Sequence, residues 1–148
     1  MNKEDFIMIS KELQKIINTI CSQGEMNLFD ATTEEEIIAF EKEHSINLPT
    51  KYREWLLFSD GGEIFLPAGI QFHGIKHKPT IDIEDNDRPD DSYVVIGTLA
   101  SGDPIVFKKT EEQISIYNLD ENRIEDDETY ENFYTFLTDT YNMLGIGN

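Results

Sequence analysis

The chain has 148 residues, of which 39% are hydrophobic and 11% aromatic, enough for one domain with a core of its own. Its 30 acidic side chains outnumber 12 basic ones, and the formal net charge of −18 excludes nucleic acid as the expected partner, because binding a phosphate backbone requires a basic surface. The apolar runs are too short to span a membrane, and the first residues show no apolar signal segment.

The single cysteine, Cys21, excludes an internal disulfide. We therefore expect a cytoplasmic protein that does not bind membranes. The negative charge alone has two interpretations that stay open here. It can serve solubility, or it can attract a cationic protein and speed the encounter with it.

Two amphipathic helices are predicted in the first part of the chain. Apolar residues recur at helical spacing over residues 3–22. The sequence Thr33-Glu34-Glu35-Glu36 is a capping-box pattern that starts the second helix, with carboxylates in the first turn, where the helix dipole favours them. One side of this second helix carries Ile37 and Phe40, with Glu41 at its edge.

A third, short helix is predicted between Pro49 and the glycine pair Gly61-Gly62. Pro49 suits a first helical turn, where its missing N–H costs nothing. The spacing i, i+3, i+4 places three residues on the apolar side: Tyr52, Trp55 and Leu56. The sequence Asp60-Gly61-Gly62 is predicted to end the helix with a left-handed residue.

Short strands separated by turn residues are predicted after residue 60, and none before it. They cover Ile64–Leu66, Gly69–Ile75, Tyr93–Gly97, Pro104–Lys108 and Gln113–Tyr117. Because several spacers are hairpin-sized, we expect an antiparallel meander. A C-terminal helix from about Asp127 to Leu144 should pack on this sheet. The order of helices, strands and a closing helix predicts a single α+β domain over residues 1–148.

The second and third helices together contain a motif of about residues 33–62: Ile37-x-x-Phe40-Glu41, then Ile46-x-Leu48-Pro49-x-x-Tyr52-x-x-Trp55-Leu56, then Gly61-Gly62. This motif resembles that of the SUKH superfamily. This group includes bacterial immunity proteins against polymorphic toxins and the fungal Smi/Knr regulators of cell-wall synthesis.

The resemblance implies a non-enzymatic, SUKH-like binding domain whose motif residues form the scaffold. Leu48, Tyr52 and Trp55 would pack in the core, while Pro49 and the glycine pair would end helices. It implies no particular residues for contact with a partner.

Three patterns superficially resemble metal sites, but none predicts one. His73 and His77 lie in a strand-like pattern, which would separate them by about four residue rises, too far to share one zinc. The segments 82–87 and 118–123 resemble the start of a calcium loop, but each lacks the glycine at position six and the glutamate at position twelve. No nucleophile elbow or phosphate loop is present either, so we expect no metal, no cofactor and no catalytic residue.

Acidic residues concentrate in two segments. Residues 82–91, here called the acidic loop, contain Arg88 and six acids: Asp82, Glu84, Asp85, Asp87, Asp90 and Asp91. Residues 120–131 contain Arg123 and seven acids, the first two of which, Asp120 and Glu121, are here called the acidic turn. Each segment is either a solvated loop or part of an electronegative surface.

If these segments form a surface, the acidic loop and the acidic turn are the expected partner-binding residues. The partner would be a basic cognate toxin, such as a nuclease, which the protein neutralises by binding. The alternative is a regulatory or scaffolding module of the same fold that binds a cellular protein and has no toxin partner. An enzyme or small-molecule binder is the third class, and a deep pocket with convergent polar groups would favour it. The oligomeric state is left open.

Overall fold

A computed structural model describes residues 10–23, 25–66, 69–77, 79–84 and 86–143. Its helices are α1 (Lys11–Gln23), α2 (Glu34–His44), α3 (Thr50–Leu56) and α4 (Phe133–Met143). Its strands are β1 (Glu25–Asn27), β2 (Gly62–Leu66), β3 (Ile70–Phe72), β4 (Tyr93–Thr98), β5 (Pro104–Lys108), β6 (Ile114–Asn118) and β7 (Arg123–Tyr130). The strands form one sheet in the order β1 to β7, each antiparallel to the next. The predicted α+β class is confirmed.

The four helices contribute to one large core on one face of the sheet. Because side chains alternate along a strand, Val94 and Ile96 of β4 point into this core with Ile105 and Phe107 of β5. Aromatic rings join the layers at its centre: Trp55 of α3 lies 5.4 Å from Phe72 of β3, which in turn lies 5.3 Å from Phe133 of α4. The predicted packing of the C-terminal helix on the sheet is therefore present.

A second, smaller apolar cluster lies on the opposite face of β4–β7, here called the open face. Its buried members are Val95, Val106 and Tyr117, and three half-buried residues pack against them: Tyr93, Leu119 and Ile124. Each of these lies on a strand or in the β6–β7 turn, and none on a helix. The sheet is thus apolar on both faces, but the helices belong to only one of them.

Helix α2 begins as predicted. The Thr33 hydroxyl accepts from the Glu36 backbone N–H at 3.2 Å, and the Glu36 carboxylate accepts from the Thr33 N–H at 3.0 Å. Two backbone donors of the first turn are thereby satisfied, which fixes where the helix starts. The helix ends at Ser45, which adopts a left-handed conformation with φ 55°.

The prediction that the glycine pair ends α3 is wrong. The helix stops at Leu56, followed by Leu57 in a right-handed conformation, and Pro49 is the residue before its first turn rather than within it. Gly61, with φ 90°, lies in the turn that leads into β2, and Gly62, with φ 111°, is the first residue of that strand. A Cβ on Gly61 would lie 2.7 Å from the carbonyl oxygen of Phe72, so the left-handed backbone serves strand pairing rather than helix termination.

Two strands were not predicted. β1 is a strand before residue 60. β7 occupies Arg123–Tyr130, where the sequence predicts no strand and places the start of the last helix. Helix α4 begins instead at Phe133. β1 has only three residues, too few for a period-two pattern to be recognised in the sequence, and its pairing with β2 joins residues far apart along the chain. Residues 3–9 and Leu144, at the outer ends of the predicted first and last helices, lie outside the described residues.

Strand β7 is an edge strand whose acidic composition argues against a strand from sequence alone. It pairs with β6 at both ends, through Ser115↔Thr129 and Tyr117↔Ile124, so residues 125–128 form a bulge opposite Ile116. A bulge in a charged edge strand hinders pairing with another sheet. Strand β7 is therefore compatible with the fold because it lies at the edge.

Candidate partner-binding surface

The acidic loop joins β3 to β4 and is held together by its one basic residue. The Arg88 guanidinium donates to the carbonyl oxygens of Ile83 at 2.5 Å and Tyr93 at 3.3 Å, and to the Asp91 carboxylate at 3.1 Å. The Arg88 side chain is only 14% exposed, whereas the Asp91 side chain is 99% exposed. The cation thus turns inward to organise the backbone, and the carboxylate faces solvent.

Local hydrogen bonds shape the rest of the loop. Asp82 accepts from the Glu84 backbone N–H at 2.9 Å, and Asp90 accepts from the backbone N–H of Ser92 at 2.7 Å and from its hydroxyl. The bonds from the Ser92 hydroxyl and N–H, with smaller effects of the Lys108 and Arg88 charges, lower the pKa of Asp90. The described acids of the loop are exposed: Asp82, Glu84, Asp87, Asp90 and Asp91. Asp85 lies outside the described residues.

The acidic turn lies between β6 and β7. Its backbone is fixed by a bond from the Glu121 N–H to the Asn118 side chain at 3.1 Å, and the Glu121 carboxylate pairs with Arg123 at 3.3 Å. The Leu119 N–H donates to Asp103 at 3.2 Å, which ties this turn to the β4–β5 turn. Asp120 and Glu121 are both exposed.

The structure does not bring the acidic loop and the acidic turn together at one edge. Tyr93, at the start of β4, follows the acidic loop and pairs with Lys108, whereas Thr98, at the other end of β4, pairs with Pro104 next to Asp103. The acidic turn is at this second end, through its bond to Asp103. The two groups are therefore separated by the length of β4, about 20 Å for six residues. The open face lies between them.

Behind this surface, a buried carboxylate holds the motif segment against the sheet. Asp60 is 0% exposed and accepts from the backbone N–H groups of Ile75 at 2.6 Å, Lys76 at 2.8 Å and His77 at 2.8 Å. It also accepts from the Thr32 hydroxyl. Burial raises the pKa of the Asp60 carboxyl, but these hydrogen bonds outweigh burial and the pKa lies below its ordinary value.

The sequence predicts for Asp60 only a place in a helix end and gives no indication of this role. Its donors at residues 75–77 are far along the chain, so no local pattern reveals them.

A comparison of the sequence with known protein families gives a match that includes α2, α3 and the glycine turn. A family model described as SMI1 / KNR4 family (SUKH-1) matches residues 31–139, well over half of the chain. The chain belongs to the SMI1 / KNR4 family (SUKH-1). No match to a curated protein was found. SUKH-1 membership supports the role of an immunity protein or a related regulator, and members typically bind protein partners.

The SUKH-1 match begins just before the α2 capping box and ends within α4, so it includes both acidic segments, the open face and the motif residues. Of the motif residues, these are buried: Ile37, Phe40, Leu48, Pro49, Tyr52, Trp55, Leu56, Gly61 and Gly62. Glu41 is half-buried and accepts from the Leu48 backbone N–H at 2.7 Å, which joins α2 to the segment before α3.

His73 and His77, the two histidines considered as a metal site, have separate environments in this SUKH-1 chain. His73 is 7% exposed, and its carbonyl accepts from the Tyr52 hydroxyl at 2.5 Å. His77 is half-buried, approaches Asp60 at 3.1 Å through Nδ1 and stacks on Phe29 with ring centroids 4.9 Å apart. Within the described residues, no three His, Cys, Asp or Glu side chains are grouped as metal ligands. In the same part of the chain, no helix is long and apolar enough to cross a membrane.

Proposed function

We propose that this SUKH-1 chain is a cytoplasmic immunity protein that acts as a single domain and neutralises a cognate basic toxin, such as a nuclease, by direct binding. It would perform no chemistry and require no metal or cofactor. Nucleic acid and membranes are not its expected partners.

The observation that carries this proposal is that the basic and the acidic side chains of the acidic loop point in opposite directions. Its one cation, Arg88, is turned towards backbone carbonyls, while the described carboxylates are exposed. The surface of the loop is therefore formed mainly by exposed carboxylates, of which Asp91 pairs with Arg88 at 3.1 Å. Such a field attracts a cationic protein and raises its association rate, and a salt series reveals the effect because salt screens it.

The test is co-expression of this chain with the protein encoded by the gene next to its own. We expect that neighbouring protein to arrest growth when produced alone, and this chain to restore growth and bind it in a purified mixture. Growth arrest that persists with this chain present, together with absence of binding, would contradict the proposal.

Membership of the SMI1 / KNR4 family also supports a regulatory role, in which the chain binds a cellular protein without a toxin partner. The same experiment separates the two roles. A regulator would bind a partner whose production alone does not arrest growth.

A further inference from the structure

We propose that the open face of β4–β7 is the docking surface for a cationic protein partner, with the acidic loop and the acidic turn contacting it at the two ends. This inference rests on the proposed binding function and specifies its surface. It follows from three features of the described residues: an apolar face without a helix on it, exposed carboxylates at both ends of that face, and their separation along β4.

The apolar centre of this surface is formed by alternate residues of four strands. Val95 and Val106 are 1% and 0% exposed although no helix residue belongs to their cluster. Among the described residues, Tyr117 and the half-buried Tyr93, Leu119 and Ile124 pack in the same cluster. Aromatic residues are enriched at the centres of protein interfaces, and tyrosine combines an apolar ring with a polar tip.

The acidic segments continue directly from this apolar centre. Tyr93 follows Asp90 and Asp91 by two or three residues, and Leu119 directly precedes Asp120. A partner that covers the open face from Tyr93 to Leu119 therefore meets carboxylates at both ends. An apolar centre with a charged rim is the usual arrangement of a protein interface.

The dimensions support a surface that includes both ends. Six residues of β4 extend about 20 Å, and the three spacings from β4 to β7 add about 14 Å, so the face covers on the order of 300 Å². A standard interface buries about 800 Å² on each partner. The open face alone is too small, and the acidic segments provide the additional area.

The charge selects a cationic protein over a second copy of this chain. Each copy has a formal net charge of −18, and two open faces packed together would place acidic ends against acidic ends. Lys108 is an exposed cation of β5, two residues after Val106. Its charge is close enough to Asp90 to help lower the pKa of that carboxyl. Like charges across an interface oppose association, whereas a basic partner is attracted at both ends.

The test uses the full chain labelled with ¹⁵N and two synthetic peptides. Both have lysines at each end and a centre of about six residues, roughly 20 Å when extended. The centre consists of leucines in one peptide and serines in the other. Amide shifts in the NMR spectrum identify the residues that each peptide contacts.

We expect the leucine peptide to shift amides across β4–β7 and in both acidic segments. The serine peptide should shift only the acidic segments, and its effects should disappear at about 1 M salt, where charges are screened within about 3 Å. Leu119→Ser and Ile124→Thr should each weaken binding of the leucine peptide by about threefold to tenfold, the range for partial loss of an aliphatic contact. The matched control is Ile38→Ser on α2, because Ile38 is 44% exposed and lies on a helix away from the open face.

Three results would overturn this inference. The first is that the leucine peptide shifts amide signals around Ile38 in place of those of the open face. The second is that both peptides bind with equal strength. The third is that sedimentation shows a dimer that Leu119→Ser dissociates. The wild-type shift map decides the first two even if the variants fold poorly. Failure of the proposed function is distinguishable from failure of this inference. If Leu119→Ser and Ile124→Thr still restore growth and bind the toxin with unchanged affinity, only the docking surface is rejected. If the peptides give the expected shift map but the chain binds no toxin, only the proposed function is rejected.

Discussion

The indole N–H of Trp55 donates to the carbonyl oxygen of Gly61 at 2.9 Å, so the last turn of α3 is hydrogen-bonded to the turn that starts β2. The two residues are close in sequence, but Trp55 is fully buried and also contacts Phe72 and Phe133 from the sheet and from α4. This single side chain therefore connects the helical layer, the glycine turn and the sheet.

Replacing Trp55 tests this connection. We expect Trp55→Ala to lower the free energy of unfolding by about 3–5 kcal/mol, the range for truncating a large buried aromatic residue. Trp55→Phe keeps an aromatic ring but loses the donor to Gly61, and it should cost less. Urea denaturation followed by circular dichroism measures both, since the only tryptophan is removed and fluorescence would not report equally. A cost of about 0.5 kcal/mol or less for the alanine variant, the usual range for surface positions, would contradict the role of Trp55.

The glycine turn gives a second prediction with a matched control. Gly61 and Gly102 both have positive φ, 90° and 95°, but a Cβ on Gly61 would lie 2.7 Å from the Phe72 carbonyl oxygen, whereas one on Gly102 would meet nothing within 4 Å. We expect Gly102→Ala to cost about 1–2 kcal/mol from the left-handed backbone alone. Gly61→Ala should cost clearly more, because β3 must also move. Equal losses in thermal or urea unfolding would show that backbone conformation accounts for both.

Asp60 gives a prediction on pH. Its folded-state pKa is lowered, so its carboxylate stabilises the fold above the unfolded pKa of about 3.9, and this contribution is lost as the pH falls through the folded value. Asp60→Asn should lower the free energy of unfolding at neutral pH by at least about 2 kcal/mol, because it weakens hydrogen bonds to a buried charge. The difference in stability between wild type and variant should shrink as the pH falls below about 4.

Urea unfolding at a series of pH values measures this difference. Asp82→Asn is the control, since Asp82 is exposed and accepts one local backbone N–H. The control should change stability little at any pH. A difference between wild type and Asp60→Asn that stays constant down to strongly acidic pH would show that ionisation of Asp60 does not stabilise the fold.

The acidic loop gives a prediction on binding kinetics. The combined variant Asp82→Asn, Glu84→Gln, Asp85→Asn and Asp87→Asn should bind the proposed toxin partner with an association rate lower by about tenfold or more. The wild-type association rate should fall as salt rises, with a smaller change in dissociation, because charges on the rim act mainly on the encounter. The fold should be retained, since the described members of this group are exposed.

The control is a combined Gln variant of Glu34, Glu35 and Glu36. These substitutions also remove negative charge, but at the start of a helix. Glu36 forms the capping box and pairs with Lys76 at 2.8 Å, and Glu34 pairs with Arg53. We expect this control to lower stability and to leave the association rate within about twofold of wild type, because the charges lie outside the proposed interface. An acidic-loop variant that binds at the wild-type rate at every salt concentration would show that the loop only contributes solvation.

Much of the scaffold can be predicted from sequence because its determinants are local. The start of α2 depends on hydrogen bonds between Thr33 and Glu36, three residues apart. The burial of Tyr52, Trp55 and Leu56 follows from helical spacing, and strands such as Pro104–Lys108 are bounded by turn residues on both sides. The match to SUKH-1, over residues 31–139, includes these segments.

By itself, the amino-acid sequence determined the α+β class, the family resemblance, the meander and the strongly negative charge, since each depends on composition or on spacing within a few residues. Only the tertiary structure decided that β7 is a strand, that Asp60 accepts from residues 75–77, and that the acidic loop and the acidic turn lie at opposite ends of the open face. These features join residues that are distant along the chain. Their pairing depends on strand register and on which face each strand turns towards the helices, and no local pattern encodes either one.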